Sequence, residues 1–211
     1  EDTYRTLMAA DSAVMVVDAA KGVEDQTRKL FHVCSLREMP IFTFINKMDR
    51  EAQDPFQLLE DIESELGIKT YPMNWPIGSG KEFKGVYDRK NERIIAFNGG
   101  NHGATEVEAI EGSVDDERFR EILGSALHDK LMEDIELLDI AGDEFDVEKV
   151  RTGELTPVFF GSALTNFGVE PFLENFLEMT TSPLPRQSNI GEIDVFDENF
   201  SAFVFKIQAN M

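Results

Sequence analysis

The chain has 211 residues, of which 42% are hydrophobic and 10% aromatic, enough for a sizeable core in one or two domains and too apolar for disorder. Its 41 acidic residues outnumber its 20 Lys and Arg, and the net charge of -21 excludes a general basic surface for nucleic acid, so free DNA is not an expected partner. A single cysteine, Cys34, excludes an internal disulfide and fits a reducing, cytoplasmic setting, and no apolar run approaches the roughly 20 residues of a membrane span.

No signal peptide is evident, and the chain starts without Met inside a helical pattern, which reads as a fragment of a longer protein. Tyr4, Leu7 and Met8 stand at helical spacing. Ala13-Val14-Met15-Val16-Val17 is a buried strand ending at Asp18, and Gly22 closes the turn after it. Val23, Thr27, Leu30, Phe31 and Cys34 then mark the inner face of a helix that must end before Pro40. Pro40–Ile45 is a second buried strand. This strand–helix–strand order predicts a right-handed, parallel βαβ unit. Asp54-Pro55-Phe56-Gln57 opens the next helix, with Asp54 as cap, Pro55 at the first helical position and Gln57 placed for a capping box. Leu58, Leu59, Ile62 and Leu66 form its apolar face, and Gly67 stops it.

The second buried strand ends in Asn46-Lys47-Met48-Asp49, and ligands of open α/β sheets bind just beyond such strand ends. Asp49 offers two acceptor oxygens and no donor. Guanine presents two adjacent donors, its ring N–H and its exocyclic amine, so the match is bidentate and charge-assisted. Adenine has no such pair. The Asn46 amide is placed to bond the other edge of the base, and the Lys47 stem to cover its face. Asn-Lys-x-Asp resembles the guanine-specificity motif of GTP-binding proteins.

From residue 69 to 98 the pattern changes to short strands and turns, including Phe83–Tyr87 and Arg93–Phe97. Gly99-Gly100-Asn101-His102-Gly103 reads as a flexible loop. Residues 115–141 read as helical, with Phe119, Ile122, Leu123, Leu127, Leu131, Ile135 and Leu138 as apolar positions. Residues 99–155 hold 17 acidic and 5 basic residues, a net of -12, which suits either a solvated surface or a docking face for a positively charged protein. Pro157-Val158-Phe159-Phe160-Gly161 is a third buried strand, continuing into Ser162-Ala163-Leu164. Backbone N–H groups there would lie beside the Asn-Lys-x-Asp loop and could bond the guanine carbonyl. Val169, Phe172, Leu173, Phe176 and Leu177 line a helix that stops at Ser182-Pro183. Residues 184–198 read as a linker, and the alternation around Phe203, Phe205 and Ile207 as a new strand.

Other patterns carry no chemistry. Gly78-Ser79-Gly80-Lys81 is similar to a phosphate loop but has Trp75 where Gly is needed and Glu82 where Ser or Thr is needed. His32, His102 and His128 have no metal-ligand spacing. Trp75, between Asn74 and Pro76, reads as a packing residue rather than a platform for a base.

Taken together, Asp2-Thr3-Tyr4-Arg5-Thr6-Leu7, Asp18-Ala19-Ala20-Lys21-Gly22-Val23-Glu24, Phe42–Arg50, Tyr71-Pro72-Met73-Asn74-Trp75-Pro76-Ile77-Gly78, Pro157–Leu164 and Phe203–Met211 resemble the translational GTPases, and within them the peptide chain release factor 3 family. Elongation factor G shares the Asn-Lys-Met-Asp-Arg piece and a similar insertion. The resemblance implies an α/β fold: the C-terminal part of a P-loop GTPase-type parallel sheet, an α+β insertion, and the first strand of a β-barrel domain. The implied domains are a partial GTP-binding domain at 1–68 and 156–183, an acidic insertion at 69–155, a linker at 184–198 and the start of the barrel at 199–211. The implied site residues are Asn46, Lys47, Asp49, Ser162, Ala163 and Leu164, all for guanine, with none catalytic and none binding metal. The implied function is GTP hydrolysis on the ribosome at termination, helping codon-reading release factors to dissociate, with the insertion touching the stalk and factor-binding region of the large subunit. GTP or GDP would be the ligand, and Mg2+ would be held by residues outside this chain. The 211 residues alone are expected to be inactive. An elongation factor G-like translocation GTPase and a non-catalytic docking module are the alternatives.

Overall fold

A computed structural model describes residues 2–7, 9–97 and 109–207. Met8 and the Gly99–Gly103 loop lie outside the described residues. The first half follows the predicted order. Helix α1 (Asp2–Leu7) leads to β1 (Ala13–Asp18), α2 (Asp25–Ser35), β2 (Ile41–Asn46) and α3 (Pro55–Leu66). Asp54 caps α3 by accepting from the N–H groups of Phe56 and Gln57, and Gly67 ends it in the left-handed conformation (φ 72°). The capping box is not completed, because the Gln57 side chain turns forward to Asp61.

Strand β3 (Lys69–Pro72) joins the parallel sheet, whereas the sequence pattern places the start of the insertion at residue 69. The insertion proper starts with β4 (Asn74–Ile77), a short 3-10 turn (Gly80–Glu82), β5 (Gly85–Asp88), β6 (Arg93–Ala96) and β7 (Ala109–Glu111). These four strands form an antiparallel sheet in chain order. The helical stretch expected at 115–141 is broken at Gly124 (φ 82°) into α4 (Glu117–Leu123) and α5 (Ser125–Ala141). Ile122, assigned to its apolar face, is exposed, because α4 ends one residue later and buries Phe119 and Leu123 instead. Helix α6 (Val147–Arg151), β8 (Leu155–Phe160) and α7 (Val169–Met179) complete the unit.

The parallel sheet has the order β1-β2-β8-β3. Strand β8 thus enters the slot between β2 and β3 after the insertion has been made. Both faces of β2 and β8 are covered, which explains their unbroken apolar runs, whereas β1, expected to be buried, is an edge strand with Val14 and Val16 exposed on one face. Phe42, Phe44 and Phe159 pack on one face with α6 and α7, through Val150, Phe172 and Met179. Ile41, Ile45, Val158 and Phe160 pack on the other with α3 and the insertion. Thr43, the polar residue in the β2 run, is satisfied by the Thr156 hydroxyl at 2.8 Å.

The insertion is not self-contained. Trp75, Phe119, Leu131 and Ile135 belong to the same core as Ile45, Met48 and Leu58. Trp75 is fully buried against Phe56 and Phe160, and its indole N–H donates to Asp134 on α5 at 3.0 Å, so it is a packing residue as the sequence suggested. Arg89 adds a second tie: it donates to the Pro72 carbonyl and to Asp139, and lies over the Tyr71 ring.

Two C-terminal expectations are corrected. Part of the 184–198 linker is a hairpin of β9 (Arg186–Ser188) and β10 (Gly191–Ile193), because Asn189-Ile190 makes a two-residue turn and the Ser188 hydroxyl donates across it to the Gly191 carbonyl. The strand expected around Phe203, Phe205 and Ile207 is not formed in the described part, which ends at 207. Phe203, Val204 and Ile207 are exposed there, and an alternating segment without a hydrogen-bonded neighbour has nothing to hold it as a strand.

Candidate guanine site

The register of the sheet brings the predicted residues together. Asp18 pairs with Asn46 across β1 and β2, and Ile45 with Phe160 across β2 and β8. Asp18, Asn46 and Gly161 therefore stand side by side at the carboxyl ends of three adjacent strands.

Asn46 is the clamp of this edge. Its Oδ1 accepts from the Lys47 N–H and from the Ala163 N–H, both at 2.8 Å, joining segments 117 residues apart. Further bonds reinforce the joint: the Gly161 N–H donates to the Ile45 carbonyl, and the Met48 N–H to the Gly161 carbonyl. A Cβ on Gly161 would stand 2.6 Å from the Phe167 carbonyl oxygen and 2.7 Å from the Phe44 ring, so only glycine lets the two loops approach. The loop after β8 is closed by reciprocal bonds between Ser162 and Phe167.

This geometry corrects part of the expected chemistry. The Asn46 oxygen is committed to the clamp, so only its Nδ2 is left for the base. Of the three N–H groups expected to face the guanine carbonyl, that of Ser162 is bonded to the Phe167 carbonyl and that of Ala163 to Asn46. The Leu164 N–H has no partner among the described residues, and its side chain is exposed. Ser162 is fully buried, and its hydroxyl has no partner among the described residues.

Lys47 has a left-handed backbone (φ 74°), and its ammonium donates to Asp18 Oδ2 at 2.6 Å. The sequence pattern marks Asp18 only as the end of a strand. A signal was present nonetheless: a carboxylate ends the strand next to the one that delivers Lys47. The Lys47 ammonium beside it, and secondarily the Ala20 N–H, holds the Asp18 carboxyl below the usual carboxylate range. Pinning the head of Lys47 fixes the course of its aliphatic stem.

Asp49 Oδ1 is buried and has no partner among the described residues. A buried acceptor left unbonded costs roughly 1–3 kcal/mol, so the position is suited to accept a hydrogen bond from a donor placed beside it. A purine with adjacent N–H and amine donors supplies two. The look-alike phosphate loop at Gly78–Lys81 runs into only the three-residue 3-10 turn (Gly80–Glu82), and the Gly80 N–H docks on the Met48 carbonyl, which braces the Asn-Lys-x-Asp loop. Among the described residues no group of three or more His, Cys, Asp or Glu is placed to hold a metal, and no helix is long and apolar enough to cross a membrane.

The model of the elongation factor Tu GTP binding domain family matches residues 1–182. The chain belongs to this family of translational GTPase domains. Peptide chain release factor 3 of Symbiobacterium thermophilum is 56% identical to this chain over all 211 residues, which cover 40% of that protein. The same-named protein of Trichodesmium erythraeum is 54% identical, again over the whole chain and 39% of its own length. The chain thus spans about two fifths of the curated relatives it matches. A crystal structure from Thermus thermophilus superposes with a TM-score of 0.62 at 26% identity, covering 86% of this chain and 28% of that one.

Proposed function

We propose that this domain reads the guanine base for a ribosome-associated GTPase that acts at termination in the cytoplasm and promotes departure of codon-reading release factors. One observation carries the base assignment: the unpartnered, buried Asp49 Oδ1 beside the Asn46–Ala163 clamp. In this reading Asp49 accepts from the guanine ring N–H and amine. The Leu164 N–H, with the Ala163 N–H shared between Asn46 and the ligand, meets the carbonyl oxygen. Asn46 Nδ2 bonds the remaining edge, and the Lys47 stem covers one face. Ser162 supports the loop from beneath. Bound GTP supplies the phosphoanhydride that is hydrolysed; Mg2+ and the phosphate-handling groups are assigned to residues outside these 211. The names of the relatives support the step in translation.

The insertion is proposed to dock a protein of the ribosomal stalk region. Glu133 and Glu136 are exposed and unpaired among the described residues, and Leu137 and Ile140 are exposed beside them. Asp139 is excluded from this face because it holds Arg89. The test of the reaction uses the full-length protein and ribosomes stopped on a stop codon with a labelled codon-reading release factor. Added GTP and protein should speed loss of the label. Loss at the same rate with and without the protein would contradict the termination role.

A further inference from the structure

We infer that Asn74 is a positioning residue for the loop that reads the carbonyl oxygen of the base, an inference that rests on the guanine reading above. Strand β3 makes its last sheet pair at Pro72 with Val158, and the Met73 N–H still reaches the Val158 carbonyl at 2.8 Å. There the backbone turns away into β4 and the insertion. Strand β8 continues two residues further, so the N–H and C=O of Phe160 face a side from which the neighbouring strand has gone.

The Asn74 side chain fills that place. Its Oδ1 accepts from the Phe160 N–H at 2.7 Å, and its Nδ2 donates to the Phe160 carbonyl at 3.1 Å. A side-chain amide has the donor and acceptor of a peptide group, so it adds one more rung to the ladder after the strand has left. Asn74 is 5% exposed, and water is a poor substitute for it there. The next residue, Gly161, faces the opposite neighbour, with bonds to Ile45 and Met48. Ser162, Ala163 and Leu164 follow at once. The loop therefore hangs from two residues gripped on opposite sides: Gly161 by the Asn-Lys-x-Asp segment and Phe160 by Asn74.

Trp75, the residue after Asn74, is bonded to Asp134 on α5, which holds the Asn74 backbone in place from the insertion. Asn74 acts through Phe160 on the position of Ala163 and Leu164, and not on Asp49. Its loss should blunt recognition of the base's 6-oxo group and leave recognition of the 2-amino group intact.

The test compares three ligands on the full-length protein: guanosine diphosphate, inosine diphosphate, which lacks the 2-amino group, and 6-thioguanosine diphosphate, which keeps the ring N–H and the amine but replaces the 6-oxo oxygen by a weakly accepting sulfur. In wild type each change should weaken binding by about tenfold, the worth of a hydrogen bond or two. In Asn74→Ala the 6-oxo effect should shrink to about twofold while the 2-amino effect stays near tenfold. Equal weakening of all three ligands, with both ratios kept, would reduce Asn74 to a structural residue and overturn the inference while sparing the guanine reading. A wild type that does not distinguish the three would overturn both. If Asn74→Ala does not fold, Asn74→Asp keeps the acceptor for the Phe160 N–H but sets a second acceptor oxygen against its carbonyl, breaking that half of the rung, and carries the same comparison.

Discussion

Lys47 shows at single-residue scale how the site is held. A left-handed backbone costs a residue with a Cβ about 1–2 kcal/mol. Two bonds offset that cost, from its N–H to Asn46 and from its ammonium to Asp18. The second is pH-dependent. The folded pKa of Asp18 lies below its unfolded value, so the bond contributes stability above the ordinary carboxylate pKa, and the contribution is lost as pH falls through the lowered value. Asp18→Asn is expected to lower the unfolding free energy at pH 7 and to match wild type more closely at an acidic pH below the ordinary carboxylate value. Urea unfolding at the two pH values measures this; an equal deficit at both would show that the carboxylate charge is not what matters.

At the scale of elements, the site is a joint between two strand ends that the chain delivers far apart. Gly161 is where they come closest. Gly161→Ala puts a methyl against the Phe167 carbonyl and the Phe44 ring, so overpacking should cost about 1–3 kcal/mol. Guanine nucleotide affinity should fall with it, because the displaced loop is the one that carries Ala163 and Leu164. Thermal unfolding and nucleotide titration of the variant check this, and unchanged values in both would mean that the joint is loose.

The strands of this joint were legible because buried parallel strands are unbroken apolar runs, as Ile41–Ile45 and Val158–Phe160 are. Asn46, Lys47 and Asp49 were legible because they end such a run. The partners that organise them were not, since Asn46 with Ala163 and Asn74 with Phe160 are contacts of sequence-distant segments. Strand β3 was misplaced for a related reason. Lys69–Pro72 is short and mixed in polarity, and only its neighbour β8, built much later in the chain, makes it part of the parallel sheet. The hairpin at Arg186–Ile193 was missed because its strands are three residues each and polar, held by turn chemistry rather than by a core.

At the scale of the whole molecule, a net charge of -21 sets how the domain approaches partners. Charge steers encounter more than it adds affinity. Replacing Glu133 and Glu136 with Lys in the full-length protein should slow association with ribosomes at low salt and matter less at high salt, because exposed charges are screened beyond about 10 Å at 0.1 M. Stopped-flow association rates across a salt series measure this. A wild-type rate at low salt would place the docking surface elsewhere.

The central claim is that Asp49 selects guanine, and Asp49→Asn in the full-length protein tests it most directly. Each hydrogen bond to a charged group is worth roughly 1.5–3 kcal/mol; the amide keeps one neutral acceptor and sets a donor against the other base donor, so guanosine diphosphate binding should weaken by at least about tenfold. The new amide can donate to the extra ring carbonyl of xanthine, so xanthosine diphosphate should become the preferred ligand. Equilibrium titration of the variant with both nucleotides gives the answer. A reversed preference is the result expected, and undiminished guanosine diphosphate affinity would contradict the account.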